Sequence, residues 1–209
     1  MTGEEQQKYV DLMSEIKNRI DFLTSFRANL PSPVLAELVA VQIRKAIEGV
    51  VFSSLISNVE TYSEIYRDFA EHWKIGRICE RIKKGNPDYL PIPVRERQVS
   101  AQEFELDHLS GPEYFTEADL LAMYQACSEI IHRPNPYKVA SHSPAMFLQN
   151  APAFTKKMIA TLNSHQVHPF NDREIYLVHM FEPGRPGPTI YPFAAFPEPG
   201  VQAADRDAG

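Results

Sequence analysis

The chain has 209 residues, of which 44% are hydrophobic and 23% charged, a composition typical of a soluble globular protein with a substantial apolar core. Its formal net charge of −6 argues against wholesale electrostatic binding to nucleic acid or an anionic membrane, so DNA is not an expected partner. The sequence shows neither a secretory signal pattern nor an uncharged apolar stretch that could cross a membrane. We therefore expect a cytoplasmic protein without membrane contact.

Residues 1–86 are predicted to form the core of a helical bundle. Thr2 and Glu5 have the spacing of a capping box, and the helix that follows is expected to run to about Asn29. Wound as a helix, residues 33–57 are apolar on most of their circumference. Such a helix must be surrounded by others, which makes it the expected centre of the bundle.

A third helical segment is predicted over residues 57–84, and the Gly-Asn-Pro sequence at 85–87 is a clear stop signal. Its apolar stripe carries more aromatic residues than packing against the rest of the domain requires. This surplus favours contact with another protein. These aromatic residues are Tyr62, Tyr66 and Trp73.

Residues 87–170 are expected to complete the same domain. They begin with an extended connector over 88–100 that crosses the bundle, and residues 102–109 alternate enough to predict a short strand. Thr116 and Asp119 then mark the capped start of a helix that ends before Pro134.

A further helix is predicted from Ser143 and Pro144, with Pro152 kinking or restarting it and Asn150 as the new cap. After Pro169 the hydrophobic period changes from about 3.6 residues to 2. Residues 174–181 and 188–196 are therefore predicted to form a small β-hairpin within 171–196, and the polar segment 197–209 is expected to be disordered. The predicted fold class is mainly α, a bundle of four or five helices with a small C-terminal β-hairpin.

The sequence gives no reason to expect a metal ion or a cofactor. It contains no glycine-rich phosphate loop, nucleophile elbow or dinucleotide fingerprint. Its closest histidine pair, His165 and His168, is interpreted as the polar end of a helix rather than as a zinc site. Cys79 and Cys127 fall on apolar helix faces and are predicted to be buried thiols in a reducing compartment.

One candidate catalytic cluster follows the helix that ends before Pro134. His132 could serve as an acid–base group and Arg133 as an anion clamp. Asn135 lies between two prolines, which restrict its conformation and would fix its amide for hydrogen bonding. The alternative interpretation is a helix C-terminus followed by a rigid loop.

A second candidate cluster is the sequence Arg67-Asp-Phe-Ala-Glu-His72. An arginine, a polar residue and then a histidine a few residues later is the motif of the HEPN family, and residues 1–138 resemble these helical-bundle proteins, many of which are ribonucleases of defence and toxin systems. The resemblance implies that Arg67 and His72 act on an RNA phosphodiester without a metal, across a dimer interface. The alternative is that both residues belong to an exposed polar helix face.

Four basic residues recur every three or four positions after His72, which gives one helix face a positive charge in an acidic protein. Such a stripe can follow a phosphate backbone, so RNA is retained as an alternative partner. It can equally be a solvated face with cations favourably placed near the helix C-terminus. The residues are Lys74, Arg77, Arg81 and Lys84.

Arg44 and Glu48 lie four residues apart on the central helix and can pair. We interpret this charged arc as a solvated edge, with a partly buried ion pair beneath the 88–100 connector as the alternative. A buried pair costs desolvation energy, so finding one would call for a functional or specificity explanation.

These observations favour an interaction or regulatory module that acts through contact with a protein partner or with a second copy of itself, as a homo-oligomer. The alternative is a HEPN-like, metal-independent ribonuclease. The sequence leaves open whether the protein is an enzyme.

Overall fold

A computed structural model describes residues 1–26, 31–59, 62–63, 74–100, 103–132, 137, 142–169 and 174–194. The fold is mostly helical, as the sequence predicts. Five helices lie wholly within these ranges: α1 (Gly3–Ser25), α2 (Ser32–Ser57), α3 (Ile75–Gly85), α4 (Glu117–Ile131) and α5 (Pro144–Leu162). The strands described are β1 (Ile92–Gln98), β2 (Phe104–His108), β3 (Ser164–Val167), β4 (Glu174–His179) and β5 (Thr189–Ala194).

Helix α2 lies at the centre and contacts each of the other four helices, as expected for a helix that is apolar on most of its circumference. At Gly49 the Ile16 side chain of α1 packs directly against α2, and an added Cβ would lie 2.9 Å from Ile16 Cγ1. Any larger residue there would force the Ile16 side chain to shift. The buried residues of α2 include Ala36, Ala40, Ile43, Ala46, Ile47, Val50 and Val51.

Both predicted capping boxes are present. The Thr2 hydroxyl accepts a hydrogen bond from the Glu5 amide at the start of α1, and Thr116 plays the same part for Asp119 at the start of α4. Each box satisfies backbone donors that the first helical turn leaves unpaired. Local sequence therefore sets where these two helices begin.

Helix α5 continues through Pro152, so the predicted alternative of a restart with Asn150 as the new cap is wrong. A proline inside a helix removes one hydrogen bond to the preceding turn. Pro152 is on the exposed side of α5, where water can satisfy the carbonyl that loses its partner. The helix is capped instead at Ser143, whose side chain accepts from the Met146 amide.

The predicted helix over 57–84 is not continuous. Helix α2 ends at Ser57, where the central helix is predicted to end, but α3 starts only at Ile75, after Lys74 in extended conformation. A buried amide network joins the ends of α2 and α3: Asn86 Nδ2 donates to Asn58 Oδ1 at 2.8 Å and to the His168 carbonyl at 2.7 Å. Tyr62 is buried, whereas Tyr66 and Trp73 lie outside the described residues.

The largest departure from the prediction is in the β structure. Instead of a separate hairpin, the strands form one antiparallel sheet in the order β2-β1-β3-β4-β5. The 88–100 segment, expected as a connector, contains strand β1. Strand β3 was not predicted, because its four residues follow α5 directly and are too few to show a period of two.

The sheet face that includes His165 lies against α1. The His165 ring is fully buried, and its Nδ1–H donates to the Leu162 carbonyl at 2.9 Å. Its Nε2 therefore accepts from the Tyr9 hydroxyl, also at 2.9 Å. Burial lowers the pKa of His165 to about 4, so the imidazole is neutral at pH 7 and belongs to the core.

No described helix carries an apolar stretch long enough to cross a membrane. Cys79 and Cys127 are both buried as free thiols, as the sequence predicts. Burial raises the pKa of each thiol, so neither has the character of a reactive cysteine.

Candidate functional site

The residues that carry the ribonuclease hypothesis are only partly described. Arg67, His72, Arg133 and Asn135 lie outside the described residues. His132 is exposed at the C-terminus of α4, where its backbone N–H donates to the Ser128 carbonyl. This backbone role corresponds to the helix-terminus interpretation of His132.

The predicted basic stripe falls on α3 and its N-terminal flank. Lys74, Arg77 and Lys84 are exposed and Arg81 is half-buried. The opposite side of α3 is buried through Ile75, Ile78, Cys79 and Ile82. The helix is thus amphipathic, and its basic residues lie on the side facing solvent.

Arg44 and Glu48 form a half-buried polar network between α2 and α4. Arg44 Nε donates to Glu48 Oε1 at 3.1 Å, and Nη2 donates to the Tyr124 hydroxyl at 2.8 Å. The guanidinium also lies over the Tyr124 ring, 4.6 Å from its centroid, a cation–π arrangement. Lys45 Nζ donates to the second Glu48 oxygen at 2.9 Å, and Ser128 accepts from Arg44 Nη1 at 3.2 Å.

The interpretation of this charged arc as a solvated edge is therefore wrong. The side chains of Arg44 and Glu48 are only 23% and 16% exposed, and helix α4 covers them rather than the 88–100 segment. Burial by itself would raise the pKa of Glu48, but hydrogen bonds from Lys45 and Arg44 outweigh it and hold that pKa below its usual value. Because every polar group here has a partner, the network fixes the docking of α4 on α2 rather than presenting a reactive group.

An open groove of about 260 Å³ lies between α4 and α5. Most of its surface is apolar, contributed by buried phenyl rings and by small side chains that leave room between the two helices. Ala122 and Ala153 are exposed in the groove, so it opens to solvent. The apolar lining consists of Ala122, Met123, Ala126, Phe147, Ala153 and Phe154.

Paired polar side chains lie near both ends of this groove. Near one end Lys157 Nζ lies 3.2 Å from both carboxylate oxygens of Asp119. Near the other end His142 Nδ1 lies 2.9 Å from Glu129 Oε2. The amide of Asn150 lies on the rim between them. An apolar floor with a polar rim is the usual design of a site that holds one apolar group in a fixed orientation.

Comparison of this chain with family models, with known proteins and with solved structures gives no match. Among the described residues, no three or more His, Cys, Asp or Glu side chains converge in a way that could hold a metal ion.

Sequence reasoning did not find the groove. Its lining residues come from two helices that are separate in sequence, and each set alone has the spacing of ordinary core positions. The local signal is weak, since Ala122 and Ala126 lie four residues apart on α4 and Ala153 lies on α5. Only the packing of α4 against α5 turns these alanines into a surface feature.

Proposed function

We propose that this protein is a cytoplasmic protein-contact module, in which the helices form a bundle around α2 and the groove between α4 and α5 receives an apolar side chain from a partner. The single observation that carries the proposal is the groove itself, an open apolar depression with a charged rim. The two buried free thiols fit a reducing compartment.

The groove has the size and chemistry of a pocket for one anchor residue. A cavity of about 150 Å³ in another protein holds a benzene ring, so 260 Å³ accommodates an aromatic or large aliphatic side chain. Binding energy in protein interfaces is concentrated in such central apolar anchors, surrounded by polar contacts that exclude water. The polar pairs near the ends of the groove supply those polar contacts.

The partner in this proposal is another protein or a second copy of this chain. A second copy would make the protein a homo-oligomer, and its mass in solution would then exceed the 23.8 kDa of the single chain. A strictly monomeric mass would leave a different protein as the occupant.

Filling the groove is expected to abolish the binding of small aromatic probes that mimic a partner's anchor side chain. Ala153 is exposed within it, so Ala153→Trp places an indole in the groove with little effect on the core. Toluene, p-cresol and indole stand in for the side chains of Phe, Tyr and Trp, and methyl NMR follows their binding. We expect saturable shifts at Met123, which lines the groove, but not at Met146, an exposed methionine of α5 outside the lining.

The matched control is Ala145→Trp, at an alanine of α5 that is also exposed but lies outside the groove. A pull-down from isotope-labelled cell lysate, with the wild type and both variants as bait, extends the test to the natural partner. Proteins lost with Ala153→Trp but kept with Ala145→Trp are groove partners, with an affinity loss of about tenfold or more. If none of the probes shifts Met123 and both variants recover the same proteins, the groove is not a contact site.

The exposed basic face of α3 favours a second candidate function, a HEPN-like ribonuclease that acts without a metal. In this proposal the basic residues hold the RNA backbone through phosphate contacts, while Arg67 and His72, or His132 and Arg133, act on the phosphodiester. The support is the solvent-facing position of Lys74, Arg77 and Lys84.

Purified protein incubated with total RNA in EDTA is expected to cleave it if this second proposal holds, since no metal is required. His72→Ala or His132→Ala should then reduce the rate by about a hundredfold or more, the usual contribution of a general acid or base. His168→Ala serves as the matched control. Intact RNA with the wild-type protein would rule out the nuclease under these conditions.

A further inference from the structure

Strand β2 lies at one edge of the sheet that the described strands form. Val99 N donates to Glu103 O at 2.9 Å and Leu109 N donates to Pro93 O at 2.8 Å. Hydrogen-bonded and non-hydrogen-bonded pairs alternate along an antiparallel ladder, so Arg97–Glu105 and Arg95–Asp107 are also hydrogen-bonded pairs. The intervening residues of β2 point their N–H and C=O groups away from β1. These residues are Phe104, Leu106 and His108.

The opposite edge of the sheet is less suited to pairing. Strand β5 carries Pro192, which has no N–H to donate to another strand. Strand β2 has no proline, and no other described strand pairs with its outer side. A row of unpaired backbone groups of this kind is a template for an added strand.

The side chains of β2 differ between its two faces. Glu105 and Asp107 lie on one face, where they are the cross-strand partners of Arg97 and Arg95. Phe104 and Leu106 lie on the other face, and Phe104 is 48% exposed. An added strand would therefore meet carboxylates on one face, and Phe104 and Leu106 together with His108 on the other.

A second copy of β2 does not fit this edge. In the fully overlapping antiparallel register that pairs the outward backbone groups, Glu105 faces Asp107 of the other copy. A shift by two residues places Glu105 or Asp107 opposite its own equivalent. Like charges directly opposite each other destabilise strand pairing, so the edge selects against self-association.

We propose that β2 binds an extended segment of a different protein by strand addition, and that this segment alternates lysine or arginine with apolar residues. Its basic residues lie opposite Glu105 and Asp107, which continues the ladder of alternating charge begun by Arg95 and Arg97. Its apolar residues pack beside Phe104 and Leu106. The proposal does not depend on the groove between α4 and α5, which lies in the helical layer.

The test uses a labelled, capped peptide that alternates lysine and valine, with binding to the full chain followed by fluorescence anisotropy. One control peptide has the same composition with its lysines and valines in separate blocks, and another has glutamate in place of lysine. We expect the alternating peptide to bind at least about tenfold more tightly than either control, because only it matches both faces of the edge.

Variants of β2 separate strand addition from simple attraction between a basic peptide and an acidic protein. Leu106→Pro removes an outward N–H without touching the ladder to β1 and should abolish binding, whereas Leu106→Ala keeps that N–H and should only weaken binding through the lost side-chain contact. Reversal of Glu105 and Asp107 to lysine should also abolish binding, and reversal of the exposed Glu80 and Glu113 should not. Circular dichroism confirms that each variant is folded. Equal binding of the alternating and block peptides, or unchanged binding by Leu106→Pro, overturns the proposal.

Discussion

Lowering the pH from about 6.5 to 4 is expected to remove about 3 kcal/mol of folding stability through His165 alone. Burial lowers the pKa of His165 from 6.5 in the free side chain to about 4, and each unit of difference corresponds to about 1.4 kcal/mol. Because the pKa is lower in the folded state, the unfolded chain takes up the proton first as the pH falls. The contribution is complete above pH 6.5 and is lost as the pH approaches 4.

Urea unfolding at a series of pH values measures this effect, and His165→Gln provides the comparison. The glutamine carries no titrating group, so the free energy of unfolding of the variant should change less steeply between pH 6.5 and 4. The Tyr9 hydroxyl loses its imidazole acceptor in this variant, so the slope with pH, rather than the absolute stability, is the quantity to compare. Equal slopes for the two proteins would show that His165 is not held neutral by burial.

Shortening Ile47 to alanine is expected to lower the free energy of unfolding by about 2–5 kcal/mol. Ile47 is fully buried at the centre of α2, and the loss combines the transfer energy of the deleted atoms with the cavity they leave. Domains of this kind are stable by only about 5–15 kcal/mol in total. The thermal midpoint should therefore fall by roughly 5–15 °C.

The matched control is Val41→Ala on the same helix, where the valine is 39% exposed. We expect this variant to change the free energy of unfolding by no more than about 0.5 kcal/mol, as is usual for surface positions. Denaturant unfolding of both variants beside the wild type gives the comparison. A loss at Ile47 as small as the loss at Val41 would contradict the central position of α2 in the core.

For the charged arc of α2, the sequence predicts the pairing of its residues but not their burial. The spacing of Arg44 and Glu48 predicts that they can pair, and they do. Their burial was misjudged, because it depends on Tyr124 and Ser128, which lie about 80 residues away in the chain. The finished network satisfies its polar groups, so it does not require the catalytic explanation that an unpaired buried charge would demand.

The sheet could be predicted from the sequence only in part. The change of hydrophobic period after Pro169 was sufficient to predict strands near 174–181 and 188–196. The central strand β3 gave no such signal, since four residues are too short for a period of two to be distinguished from the end of a helix. The sheet order followed from contacts between β1 and β3 that join segments about 70 residues apart.

By itself, the sequence determined the helical class of the protein, the central position of residues 33–57 and the start of α1 and α4. These features depend on the apolar period and on capping groups within one turn of the chain, which are local properties. Only the tertiary structure decided that Arg44 is covered, that His165 is a neutral core residue, that a groove opens between α4 and α5 and that β2 lies at an edge of the described sheet. Each of these depends on which distant surfaces meet, and neither propensity nor spacing within a segment carries that information.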